Sequence, residues 1–362
     1  MGGVDRRSGA HQPSEIGAVR VVHVHRIGGI GGSERHLLTL LSALAAKGVD
    51  VRFVGIDIPG AGPFYEELEQ AKVPFTRLPG PWRLASAVRR ERPSLVHTHL
   101  VHADVYGALV PGMRIVSTKH NPDPFRTGPW RFAERALARR AARIIAISEA
   151  VRRFSIEDVG LPAGKIEVVH YGLDKLPVAW AENPPLAIVE GAPLLLCVAR
   201  LAPQKGVDVA VRALSTIPDA ILLVLGEGPE RERLETLARE LGVAKRLLMP
   251  GRVGDIAALY RRCDVVVHPA RWEGFGLAML EAMLAAKPVV AARAASAPEL
   301  VVDDVTGALV PPDDPVALAA AVRRLLADPS RFGAAGLTRA RTAFSVEQMT
   351  ERTLAVYASA SR

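Results

Sequence analysis

The chain has 362 residues, 49% of them hydrophobic and 23% charged, with a formal net charge of +8. That length exceeds one core and fits two domains, and the composition excludes a disordered or fibrous chain. Aromatics make up only 5% and no nucleic-acid-binding module is present. The positive charge therefore points to nucleotide diphosphates or an acidic membrane surface, and away from nucleic acid.

Cys197 and Cys263 lie in or beside apolar strand patterns, without metal-ligand spacing. They read as buried thiols of a reducing compartment, and a cytoplasmic protein is expected. Residues 1–18 are polar, include Arg6-Arg7, and lack the apolar stretch of a signal peptide; a disordered tail is expected. No apolar run approaches the length of a membrane span.

From Val19 the chain reads as strand (19–25), glycine loop, helix (33–47) and strand (51–56), a Rossmann-like opening. The loop is Gly28-Gly29-Ile30-Gly31-Gly32. Ser33 reads as the N-cap of the helix, with Glu34 in its first turn. The loop matches a dinucleotide fingerprint only in part, so an NAD oxidoreductase is the runner-up reading of this opening taken alone. A helix over 64–72, a strand over 75–78 and a helix over 81–91 follow. His97, His99 and His102 cluster at the end of a strand at 95–99, but no acidic ligand completes a metal set, and polar residues at a cleft mouth are expected instead. A strand from 115 ends in Lys119-His120-Asn121. A helix over 130–143 carries Arg131, Arg135, Arg139, Arg140 and Arg143, several on one face. That face is read as solvated, with peripheral contact to an anionic membrane as the other reading.

A strand at 144–147 leads to Ser148, the start of a short helix, and then to His170-Tyr171-Gly172. Residues 176–193 are proline-rich, lack periodicity and read as a linker. The first domain is thus 19–175 and the second 194–343. The second opens with a strand at 194–199, followed by Arg200 and Lys205 around a proline turn. Arg200 can grip two phosphate oxygens as a fork, and Lys205 supplies a compact charge. Further on, an apolar strand ends at His268. The loop Ala270 to Gly276 then leads into a helix beginning at Leu277. Gly274 and Gly276 allow close backbone approach, and the N–H groups of Phe275, Gly276 and Leu277 suit a phosphate. Glu273 and Glu281 stand on the order of 12 Å apart along the helix axis, suited to two ends of one extended ligand. A last helix, within 344–362, is amphipathic.

Glu273-x7-Glu281, set in Glu-Gly-Phe-Gly-Leu and followed by Lys287-Pro288, resembles the signature of retaining GT-B glycosyltransferases of family 4. Gly28 to Glu34, Ala199 to Gly206, Gly226 to Pro229, and Ala297 to Leu300 with Thr306 to Val310 agree in order and spacing. The resemblance implies an α/β fold of two facing Rossmann-like domains with parallel sheets, and a last helix crossing back to the first domain. It implies transfer of a hexose from a UDP- or GDP-linked sugar to a hydroxyl acceptor such as a glycan or lipid-linked glycan, without cofactor, in carbohydrate biosynthesis. By the same resemblance Glu281 holds the ribose and Glu273 the sugar. Arg200 and Lys205 neutralise the diphosphate, and His120 orients the sugar. Gly31, Gly32, Gly226, Val253, Gly274, Phe275, Gly276 and Leu277 border the donor, and Gly32 and Ser33 reach the acceptor. Relatives usually carry asparagine where Tyr171 stands.

No Asp-x-Asp ends a strand, since Asp303-Asp304 and Asp313-Asp314 are adjacent pairs in turn-like segments; a metal-independent reaction is expected. Two alternatives share the same cleft: a GT-B sugar-nucleotide epimerase and a non-catalytic sugar-nucleotide-binding protein. Donor consumed without acceptor would mark the first, and binding without turnover the second.

Overall fold

The computed structural model describes residues 19–362, except 109, 179–180, 182–185, 187 and 190. The expected tail at 1–18 and much of the expected linker lie outside the described residues. Seven strands form the first sheet: β1 (Arg20–Ile27), β2 (Asp50–Asp57), β3 (Phe75–Leu78), β4 (Leu95–His99), β5 (Ile115–Lys119), β6 (Arg143–Ala146) and β7 (Ile166–Val168). Six form the second: β8 (Leu194–Val198), β9 (Ile221–Leu225), β10 (Leu247–Gly251), β11 (Val265–His268), β12 (Val289–Ala292) and β13 (Gly307–Val310). Their orders are 3-2-1-4-5-6-7 and 10-9-8-11-12-13. Every pairing is parallel. The protein is α/β, with two Rossmann-like domains.

Parallel strands need helical crossovers that cover both faces, which explains their apolar runs. Val265, Val266 and Val267 are fully or almost fully buried. The helix Gly32–Ala46 buries Leu37, Leu38, Leu40, Leu41 and Leu44, the stripe expected of an amphipathic helix on a sheet. In each sheet the order reverses beside the first strand, at β1/β4 and at β8/β11. Open sheets leave a crevice at such points, outside the carboxyl ends of the strands.

The chain runs on from the second domain through Pro329–Ala343 to a last helix, Val346–Ser361. Met349, Val356, Tyr357 and Ala360 of that helix are buried in the first domain's core with Leu37, Leu41 and Val116. A second shared core joins Tyr171 and Leu173 to Phe275, Met279 and Phe344.

Three expectations differ from the structure. Gly31, not Ser33, is the N-cap of Gly32–Ala46; the Glu34 carboxylate takes the Gly31 N–H at 3.0 Å, which fixes the cap two residues earlier. The arginine helix stops at Arg140, because Ala141 is extended (ψ 133°) and Ala142 N–H bonds the Ile115 carbonyl at 2.8 Å. Arg143 therefore opens β6 and leaves the helical stripe. His102 is exposed on the helix Leu100–Gly107, away from buried His97 and His99.

Candidate active site

The second-domain wall is built where β8 and β11 end side by side. After β11 the chain must turn from strand to helix within eight residues, and Gly276 makes the last step with φ of 94°, a left-handed conformation that favours glycine. The helix Leu277–Leu284 starts there. Arg271 braces the loop from behind: its guanidinium holds Asp208 at 3.1 and 3.0 Å and Asp313 at 2.7 Å.

Lys205 ends the short 3-10 turn Pro203–Lys205 after β8. Its ammonium is ion-paired with the Glu273 carboxylate. His268 Nε2 lies 3.6 Å from the same carboxylate, and Gly274 N–H donates to it at 3.2 Å. Burial pulls the Glu273 carboxyl upward, but Lys205 and His268 overcome it and bring the group down to about 2. Opposite charge at contact distance outweighs desolvation here. Arg200 is not part of this cluster. It is exposed, and its guanidinium donates to Gln204 Oε1 at 3.1 Å.

Glu281 lies one helix turn and more beyond the glycine, almost buried. Tyr260 O–H donates to it at 2.8 Å, yet burial dominates and pushes its carboxyl up to about 7. The two carboxylates of the signature thus differ in kind: Glu273 is held charged by a cation, and Glu281 is poised to change charge near neutrality. Val253 is buried in the shared core. Phe275 packs its ring 5.1 Å from Tyr171 and 5.8 Å from Phe344, so only its backbone is free to line a ligand. Gly226 sits beside β8, where a Cβ would fall 2.2 Å from the Ala199 carbonyl oxygen.

The first-domain wall meets this loop directly. A Cβ on Gly274 would lie 2.0 Å from the His120 carbonyl oxygen, and Ser148 Oγ–H donates to the Gly274 carbonyl at 2.7 Å. Ser148 also caps the helix Glu149–Glu157. Gly32 faces the start of the helix Leu277–Leu284, its Cβ position 3.8 Å from Leu277 Cδ1. Ser33 Oγ–H donates to Glu34 at 3.0 Å. His120 is buried, with Nδ1 on the Tyr171 hydroxyl and Nε2 3.2 Å from His99 Nδ1. Tyr171 thus occupies the histidine that the resemblance assigns to the sugar, and contact with a ligand needs one of these bonds exchanged.

Several residues at the site were not anticipated. Glu299 accepts from Glu149 N–H at 2.8 Å and Ala150 N–H at 2.9 Å, and pairs with His170 Nε2 at 2.9 Å. It ties the second domain to a helix start of the first, where negative charge is favoured. Lys119 and Arg126 bind buried Glu134 at 3.1 and 2.7 Å, and Lys119 also holds Asp104. Their only sequence sign is charge next to strand and helix ends.

Two adjoining family models match the chain: Glycosyltransferase Family 4 over residues 30–175 and Glycosyl transferases group 1 over residues 178–339. The chain belongs to the GT-B glycosyltransferases. It is 38% identical to the GDP-mannose-dependent alpha-(1-6)-phosphatidylinositol monomannoside mannosyltransferase of Mycolicibacterium smegmatis, over 40% of this chain and 41% of that protein. It is 29% identical to glycogen synthase of Mycobacterium tuberculosis, over 92% of each. The fold is shared with Anabaena HepE in complex with UDP and glucose, at a TM-score of 0.81 and 23% identity, covering 94% of this chain and 100% of that one. The two walls of this glycosyltransferase, one from each family model, meet at Gly274 and His120.

Proposed function

We propose that the enzyme is a retaining, metal-independent hexosyltransferase that moves a sugar from a UDP- or GDP-linked donor to a hydroxyl acceptor. The observation that carries this reading is the Lys205–Glu273 pair at the glycine-led start of the helix Leu277–Leu284, with Glu281 further along that helix. The relatives' names support it: one acts with GDP-mannose and one neighbour holds UDP.

In this reading the diphosphate lies over the N–H groups of Gly276 and Leu277. Lys205 and, after a swing off Gln204, Arg200 neutralise the charge that develops there. Glu281 accepts from the ribose hydroxyls and Glu273 from the sugar hydroxyls. His120 orients the sugar, and Gly32 and Ser33 border the acceptor. The bond from the anomeric carbon to the diphosphate oxygen breaks. The acceptor oxygen bonds the same carbon from the same face, and its proton passes to the departing oxygen. Neither glutamate is used as a nucleophile. Positioning and electrostatics supply the rate, and the closed cleft keeps water from competing.

Among the described residues no helix is long and apolar enough to cross a membrane. Phe125, Trp130 and Phe132 are exposed, and the guanidinium groups of Arg131 and Arg135 lie 4.9 and 5.9 Å from the Phe132 ring. Aromatic rings with cations suit the headgroup level of an acidic bilayer, which supports a cytoplasmic enzyme working at the inner membrane face.

The test is incubation with α-linked UDP- and GDP-sugars and a panel of acceptor alcohols, with the product anomer read by NMR. Acceptor-dependent release of the nucleoside diphosphate with an α-linked product is expected. A β-linked product overturns retention. Donor conversion without acceptor favours the epimerase, and binding without turnover favours the non-catalytic protein.

A further inference from the structure

Six of the ten histidines, His23, His25, His36, His97, His99 and His120, are buried together on the first-domain side. The sheet explains the gathering. His23 of β1 is in register with His97 of β4, and alternate residues share a face, so His99 joins them. Thr118 and His120 arrive at the end of adjacent β5, and Tyr357 comes down from the last helix.

The contacts form one unbranched line. The Tyr171 hydroxyl meets His120 Nδ1, and His120 Nε2 lies 3.2 Å from His99 Nδ1. His99 Nε2 lies 3.0 Å from His23 Nδ1, and His23 Nε2 3.3 Å from the Tyr357 hydroxyl. That hydroxyl lies 2.7 Å from His97 Nδ1, and His97 Nε2 2.6 Å from Thr118 Oγ1. Burial pulls the histidines of this line below their ordinary range, His23 to about 3. Each ring is therefore neutral, with one N–H donor and one bare acceptor.

That restriction leaves two arrangements in which every contact holds one hydrogen and the Tyr357 hydroxyl hydrogen is itself used. Either all four rings carry the proton on Nε2, with Tyr171 donating at one end and Thr118 accepting at the other, or all four carry it on Nδ1 and the polarity reverses. The first is preferred chemically, because a phenol is the stronger donor and an alcohol oxygen the better acceptor. One mixed pattern has the Tyr357 oxygen accept from both His23 Nε2–H and His97 Nδ1–H, which leaves the tautomer of His120 as in the first arrangement but the buried Tyr357 hydrogen unpaired. Every other mixed pattern faces two hydrogens or two lone pairs across a buried contact, and each is costly.

We propose that Tyr357 is a positioning residue: through His23 and His99 it sets the tautomer that His120 holds at the cleft. The last helix, which follows the second domain in sequence, then specifies whether the Nδ1 edge of His120 accepts or donates. The bearing on catalysis rests on the role proposed for His120, whereas the proton order does not. A different occupant of the line would be a metal ion, since nitrogen atoms of His23, His97 and His99 lie within 4.8 Å of one another. Against it, both nitrogens of His97 are already engaged, and among the described residues no carboxylate or thiolate joins the group.

The test is ring-nitrogen NMR of the full chain labelled with 15N-histidine. The wild-type protein is expected to show Nε2–H at His23, His97, His99 and His120. Tyr357→Phe strands the His23 Nε2–H donor, so an Nδ1–H population is expected at His120. Opposite tautomers at His99 and His120 in the wild type would overturn the proposal, and so would an unchanged His120 in a folded Tyr357→Phe. If that variant does not fold, the wild-type tautomers and metal content decide. One equivalent of zinc whose chelation shifts the His23, His97 and His99 signals counts against the ordered line. Altered tautomers with wild-type sugar transfer would leave the line standing and remove the His120 tautomer from the reaction.

Discussion

Lys205 and Glu273, 68 residues apart in sequence, close on each other as an ion pair where β8 and β11 end. The pair carries no net charge, so a diphosphate arriving at this wall must compete with Glu273 for the ammonium. A donor that brings sugar hydroxyls to Glu273 at the same time compensates the carboxylate for what it gives up. The geometry therefore favours a ligand bearing both diphosphate and sugar over a free diphosphate.

Lys205→Ala is expected to lower turnover by roughly a hundredfold, the scale of losing one preorganised electrostatic partner. It also raises the Glu273 carboxyl, since Lys205 shares with His268 the work of offsetting burial. Steady-state kinetics with saturating donor check the first effect. Wild-type turnover would remove Lys205 from the reaction.

Glu281 is expected to make donor binding depend on pH. Its carboxyl sits at about 7 in the folded protein, against an ordinary 4.5. Between those values the folded state holds a proton that the unfolded chain has lost, so stability falls as pH rises across that window. Ribose hydroxyls donate to a charged carboxylate, so nucleotide affinity should rise through pH 7. Glu281→Gln should flatten both trends and stabilise the free protein above that pH. Calorimetric titration at pH 6 and pH 8, with melting of both proteins, is the measurement.

Much of this wall was legible because it is local. Glu273, Gly274, Gly276 and Glu281 lie within one strand–loop–helix unit, and Lys205 follows its own strand end. The expected helix over 130–143 ran into β6 because arginine suits both an exposed helix and a strand edge, and nothing local marks Ala141 as extended. The Tyr260–Glu281 bond and the Glu299 caps join distant segments. A single sequence carries no sign of such pairings. His120 was legible as a strand-end histidine, but its burial behind Tyr171 depends on which face of the sheet the last helix covers.

Gly274→Ala tests the meeting of the two walls. The added methyl would lie 2.0 Å from the His120 carbonyl oxygen, which forces the domains apart. A displacement of about an ångström at a reacting centre costs on the order of a hundredfold in rate. Nucleotide affinity should hold, because the second domain keeps its contacts. Loss of nucleotide binding in a folded variant would contradict this division.

Removal of metal is expected to leave turnover intact, since Lys205, Arg200 and the helix start can neutralise the diphosphate. Assays after EDTA dialysis check it. Activity lost on dialysis and restored by Mg²⁺ or Mn²⁺ would show that a cation shares the diphosphate.

The most direct measurement of the central claim is thermal melting of the whole chain with UDP-, GDP-, ADP- and TDP-sugars, in wild type and Lys205→Ala. A ligand bound to the folded state at a hundred times its dissociation constant adds about 2.7 kcal/mol of apparent stability. One nucleotide sugar should raise the melting temperature of the wild type, with the shift reduced or lost in Lys205→Ala. A folded wild-type protein that none of the four stabilises, or an equal shift in both proteins, would contradict a donor held at Lys205 and Glu273.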